Sequence, residues 1–110
     1  SIERDWGWAP EYADAMVQLI TQDDPQDCII ASGQTISLQC FIESVFSELN
    51  LNYHNHIKIN RSLFRSNEAM RISTNPYKIM KLTSWKPSIK GPKLGKHLIN
   101  EYLSLKKERR

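Results

Sequence analysis

The sequence predicts a mixed α/β chain in which short strands are separated by helices, and three observations carry that prediction. Leu38, Phe41, Ile42, Val45, Phe46 and Leu49 form an apolar stripe at helical spacing. "CIIAS", residues 28–32, is a short apolar run closed by Gly33 and reads as a buried strand. "HIKIN", residues 56–60, alternates with period two and reads as a second strand.

The elements follow in order. Pro10 suits the first turn of a helix because no amide donor is needed there. Tyr12, Met16, Leu19 and Ile20 continue at helical spacing, so a helix is expected over about 10–21. "TQDDPQD", residues 21–27, is a polar loop closed near Pro25. After the 28–32 run, Ser37 is placed to cap the helix that carries the apolar stripe. Residues 61–74 have no clear period. Asn75 caps and Pro76 starts a short helix ending about Leu82, and a last helix spans about 92–106 with Leu94, Leu98, Tyr102 and Leu105 on one face. So few and such short strands do not make an independent doubly wound sheet; sheet from elsewhere is expected to be missing.

A chain of 110 residues is enough for one small domain. With 40% hydrophobic and 25% charged residues its composition is that of a soluble globular protein. The net charge of +3 does not demand a nucleic-acid partner. Charge is uneven, however: from Lys86 onward eight basic residues face two acidic ones, ending in a basic tail over about 104–110. That tail reads as solvated surface, with a basic nucleic-acid-binding module as the rival reading. No apolar run is long enough to span a membrane and no signal peptide is present, so a cytoplasmic location is expected. Cys28 and Cys40 lie in apolar segments without metal spacing and read as buried free thiols. Asn60-Arg61-Ser62 fits a glycosylation acceptor, read as chance without a secretory signal. The opening, "ERDWGWAPEY" without a start Met, reads as a cut through a larger enzyme.

A catalytic centre is not found. No glycine-rich phosphate loop occurs, since Gly33 stands alone. His54 and His56 would share a face on a strand but lack a third ligand, so a surface loop is the preferred reading. Tyr77 and Lys81 have the Tyr-x-x-x-Lys spacing in which a Lys lowers a phenol pKa; the preferred reading is a packed Tyr and a solvated Lys. Binding residues are easier to nominate. Arg4 stands among aromatics, and Arg65 and Glu68 share the segment "FRSNE". Two guanidiniums converging on one site suit a diphosphate, whose oxygens they grip bidentately. The alternative is that Arg4 meets a helix C-terminus while Arg65 and Glu68 pair on the surface.

Four segments resemble the GDP-mannose 4,6-dehydratase family of extended short-chain dehydrogenases. "RDWGWAPEYADAM" is similar to that family's R-D-W-G-x-A-x-[DE]-Y-V-E-A-M, and "DCIIASGQTISLQCFIESVFSEL" to its strand, Ser-Gly turn and helix. "LFRSNEAM" resembles Y-[FY]-R-P-x-E-V, and "NPYKIMKLTSWKP" resembles D-P-x-K-A-x-x-x-L-G-W-K-P. Order and spacing agree over nearly all of residues 3–103. Departures include Ser66 for the family's Pro, Arg71 for an acidic residue, and Leu38-Gln39 for Val-Arg.

The resemblance implies the C-terminal, substrate-binding lobe of a two-lobed enzyme. The Rossmann lobe, absent from this chain, would hold NADP and the catalytic residues. Carried over, Arg4 and Arg65 contact the diphosphate of a GDP-sugar from two sides and Glu68 holds its guanosine portion. The implied reaction oxidises C4 of GDP-mannose, eliminates water across C5 and C6 and returns the hydride to C6, giving GDP-4-keto-6-deoxymannose. The segment alone is expected to bind no cofactor or metal and to be inactive, within a parent that is a homo-oligomer. The alternative function is a non-catalytic remnant or interaction module of a related nucleotide-sugar epimerase or dehydratase. It is motivated by the apolar face of residues 12–20 and the aromatics Trp6 and Trp8.

Overall fold

A computed structural model describes residues 2–108. Arg109 and Arg110, at the end of the expected basic tail, lie outside the described residues. Strand β1, Glu3–Asp5, is followed by helix α1, Ala9–Ile20. Strand β2, Thr35–Ser37, leads directly into helix α2, Leu38–Glu48. Two 3-10 turns, Tyr53–Asn55 and Arg61–Leu63, precede the short helix α3, Tyr77–Leu82, and the long helix α4, Pro92–Glu108.

The four expected helices form where capping and periodicity place them. Pro10 occupies the first turn of α1. Ser37 caps α2, its Oγ accepting from the Cys40 amide at 3.0 Å, and Asn50 at φ 57° takes the chain out of the helix in the left-handed conformation. Helix α3 departs by one residue from expectation: Pro76, not Asn75, holds the cap position and the helix starts at Tyr77, while the Asn75 side chain accepts from the Tyr77 amide at 2.9 Å in the turn before it.

Neither expected strand forms. Residues 28–32 run unpaired: among the described residues no backbone hydrogen bond reaches residues 28–31. The small sheet lies just beyond, where β2 pairs antiparallel with β1 in the register Arg4↔Ile36. Residues 56–60 are also not a strand. Asn52 and Asn60 each accept from a backbone amide two residues on, at 3.1 and 3.0 Å, and these turns divert the chain before a ladder can start.

Two packed pairs of helices share the chain. Ala15 of α1, Ile79 of α3 and Trp85 are buried together, with Tyr12, Leu19, Cys28, Ile30 and Met80 against them. Helix α4 lies on α2, and Gly95 permits their close approach: a Cβ there would stand 2.3 Å from Ser44 Oγ. Leu94 is buried in this contact, whereas Leu98, Tyr102 and Leu105 of the same expected face are exposed because α4 runs past its partner. Cys28 and Cys40 are free and half-buried rather than fully buried.

The opening stretch ties the two halves together. Trp6 stacks on Phe41 of α2 with centroids 5.0 Å apart, and Trp8 meets the His97 ring of α4 edge-on at 4.4 Å. Glu11 holds the segment after α3: its Oε1 accepts from the Ser88 amide at 2.8 Å, and its carbonyl accepts from Trp85 Nε1 at 2.9 Å. The result is a plate of 52 × 44 × 19 Å.

Candidate functional site

The site is built around β1. On one edge β1 pairs with β2. On the other, the Glu3 amide donates to the Met70 carbonyl at 2.8 Å and the Ile72 amide donates to the Glu3 carbonyl at 3.1 Å. This second contact is what carries residues 65–71 to Arg4.

Arg4, Glu68 and Arg65 meet. Arg4 Nη2 stands 2.5 Å from Glu68 Oε1, and Arg65 Nη1 stands 3.6 Å from Glu68 Oε2. Each carboxylate oxygen therefore faces a different guanidinium. Arg4 Nη1 also donates to its neighbour's carbonyl, Glu3 O, at 2.8 Å, which anchors the fork on the strand. The side chains of Arg4 and Glu68 are only 21% and 26% exposed, whereas Arg65 is 83% exposed. One cation is thus fixed and partly desolvated and the other is held loosely in solvent. Arg71 and Glu3 form a second pair alongside, at 3.8 Å. The Arg65–Glu68 contact of the alternative reading is present, but Arg4 joins it rather than a helix C-terminus.

Asp5 was not among the candidate residues, yet it organises the neighbouring turn. Its Oδ1 accepts from the Ser32 amide at 2.9 Å, and its Oδ2 from the Gly33 amide at 2.8 Å and Thr74 Oγ1 at 3.1 Å. Gly33 makes this possible with a φ of 83°, which side-chain-bearing residues rarely adopt. Tyr12 lies beside this carboxylate, its OH 3.4 Å from Oδ1. Burial first, and the Asp5 charge second, push the Tyr12 phenol up to about 12. Proximity of Arg4 and Asp5 in sequence was the signal available; alternate strand residues direct one to the cluster and the other to the turn.

The remaining candidates lie elsewhere. His54 sits in an exposed 3-10 turn against Tyr53, and His56 stacks on Phe46, so the two rings do not share a metal-facing side. Among the described residues no group of three or more His, Cys, Asp or Glu gathers as a metal site. Tyr77 does not pack as expected: it is exposed, with Lys81 Nζ 5.1 Å from its ring centroid. An open apolar cleft of about 320 Å³ lies between α2 and the 53–59 loop, lined by Leu38, Ile42, Ile57 and Ile59 together with Gln39, Tyr53 and His54. Its polar lining is Gln39, Tyr53 and His54, and Gln39 Nε2 already donates to Glu43 Oε1 at 3.1 Å and to Tyr53 OH at 3.0 Å. At the Gly33 turn the amides of Ser32 and Gly33 are already committed to Asp5, so this turn does not offer them to a nucleotide phosphate. No helix among the described residues is long and apolar enough to cross a membrane.

Comparison with known proteins extends this picture. The sequence model described as GDP-mannose 4,6 dehydratase matches residues 1–98. GDP-mannose 4,6 dehydratase 1 of Arabidopsis thaliana is 31% identical over 104 residues, covering 94% of this chain and 29% of the relative. GDP-mannose 4,6 dehydratase 2 of Caenorhabditis elegans is 30% identical over 118 residues, covering 93% of this chain and 31% of the relative. The chain therefore spans a little under a third of the length of these curated relatives. A solved structure described as RMD from Pseudomonas aeruginosa complexed with NADPH shares the fold, with a TM-score of 0.73 at 18% identity. The match covers 94% of this chain and 33% of that one.

Proposed function

Because the chain belongs to the GDP-mannose 4,6 dehydratase family, we propose that it is the portion of such an enzyme that grips the GDP end of the sugar nucleotide. The observation that supports this reading is the cluster itself. Arg4 and Arg65 come from motifs 61 residues apart (65 − 4) and converge on one point with Glu68 between them. In this role the two guanidiniums take the diphosphate oxygens and Glu68 takes hydroxyl or N–H donors of the guanosine portion. Binding energy from these remote groups positions the sugar for chemistry performed elsewhere.

That chemistry, conversion of GDP-mannose to its 4-keto-6-deoxy product with NADP, is assigned here to a catalytic lobe outside this chain. NADP would supply hydride transfer there; this chain's contribution is to hold and orient the substrate. Its exposed apolar surface supports such a partner. Met16, Val17 and Ile20 of α1 are exposed, Ile29 is exposed nearby in sequence, and residues 28–31 make no backbone–backbone hydrogen bond among the described residues. Supplied with GDP-mannose and NADP alone, the chain is expected to form no keto-sugar.

Calorimetric titration with GDP tests the binding role. Wild type is expected to bind, and Arg65→Ala to bind at least about tenfold more weakly, the scale of one charge-assisted contact to a phosphate. Equal binding by both would remove the basis for this reading.

A further inference from the structure

We propose that Glu68 is a built-in competitor for the guanidinium pair, and that it selects ligands carrying hydrogen-bond donors next to their diphosphate. The inference rests on the reading of Arg4 and Arg65 as a diphosphate clamp. Glu68 already occupies that clamp as an anion would, with Oε1 2.5 Å from Arg4 and Oε2 3.6 Å from Arg65. Carboxylate and phosphate present the same kind of oxygens to a guanidinium fork. Arg4 Nη1 is held by the Glu3 carbonyl, so a phosphate that takes the Nη2 hydrogen facing Glu68 displaces that carboxylate. Arg65, exposed and more distant, yields first; the Arg4–Glu68 contact is the one that resists.

The displaced carboxylate decides which ligands succeed. Glu68 is three-quarters buried, so stranding its charge without donors carries a desolvation penalty. An incoming bare pyrophosphate offers no donors and adds negative charge beside it. A nucleoside diphosphate brings hydroxyl and N–H groups that Glu68 accepts from, so its displacement is compensated. The adjacent Glu3–Arg71 pair is itself neutral and leaves this balance unchanged.

The test is calorimetric titration of the full chain with GDP and with inorganic pyrophosphate. Wild type, Glu68→Gln, Glu68→Ala and Arg4→Ala are compared at one salt concentration, with circular dichroism checking the fold. Wild type is expected to prefer GDP by roughly tenfold or more, the scale of one mispaired charge at a binding site. Both Glu68 variants are expected to bind pyrophosphate several-fold more tightly without a gain for GDP, so the preference collapses. An unchanged preference, or weaker pyrophosphate binding, in the folded variants would overturn the competitor role. GDP binding lost in Arg4→Ala preserves the clamp reading whatever the Glu68 variants do. GDP binding indifferent to Arg4→Ala, or absent from wild type and both Glu68 variants, overturns the clamp and this inference with it.

Discussion

At Asp5, one carboxylate satisfies two consecutive backbone amides and a hydroxyl, and so fixes the Ser32–Gly33 turn against β1. Asp5→Ala leaves those amides without their acceptor, and chemical denaturation should report a loss of about 2–3 kcal/mol, the scale of charge-assisted bonds to backbone N–H groups. Tyr12 supplies a pH prediction. Its phenol pKa is raised in the folded chain, so the neutral form is favoured by folding. The stabilisation is complete below pH 10 and is lost as pH rises toward about 12. Wild type should lose stability relative to Tyr12→Phe as pH rises through that window, measured by denaturation at each pH. Arg4, Arg65 and Glu68 could be nominated because they stand in recognisable short motifs, and the fold brings the three side chains together. Asp5 was not, because a side chain that binds backbone amides leaves no spacing pattern to read.

Helices were legible and strands were not, for a physical reason. A helix satisfies its own backbone, so the stripe from Leu38 to Leu49 and the Ser37 cap were sufficient to place α2. A strand depends on a neighbour, and neither the apolar run at 28–32 nor the alternation at 56–60 could say whether one was present. Ser37→Ala should lower stability by about 1 kcal/mol through the lost cap, measured by urea denaturation. Gly95→Leu should do more damage, since even a Cβ would meet Ser44 and Val45 at 2.3 and 3.0 Å. Separation of α2 from α4 is expected at about 1–3 kcal/mol, the usual cost of overpacking.

The whole molecule is flatter than its length requires. Its radius of gyration is 16.7 Å, against about 13 Å for a compact domain of this size. Among the described residues Ala15, Ala31, Ile36, Ile79, Trp85 and Leu94 form the buried hydrophobic set, while Met16, Val17, Ile20 and Ile29 stay exposed on and after α1. Exposed apolar side chains grouped on α1 mark a surface seeking cover. Val17→Lys with Ile20→Glu should therefore reduce self-association and apolar-dye binding without lowering the unfolding midpoint, measured by sedimentation and fluorescence.

The most direct test of the account is to locate GDP on the chain. Nuclear magnetic resonance of the isotopically labelled protein, titrated with GDP, reads out every candidate surface at once. The account predicts shifts concentrated at Arg4, Glu68, Arg65 and the amides of residues 70–72. Shifts centred on the Leu38, Tyr53 and Ile59 cleft, or none at saturating GDP, would contradict it.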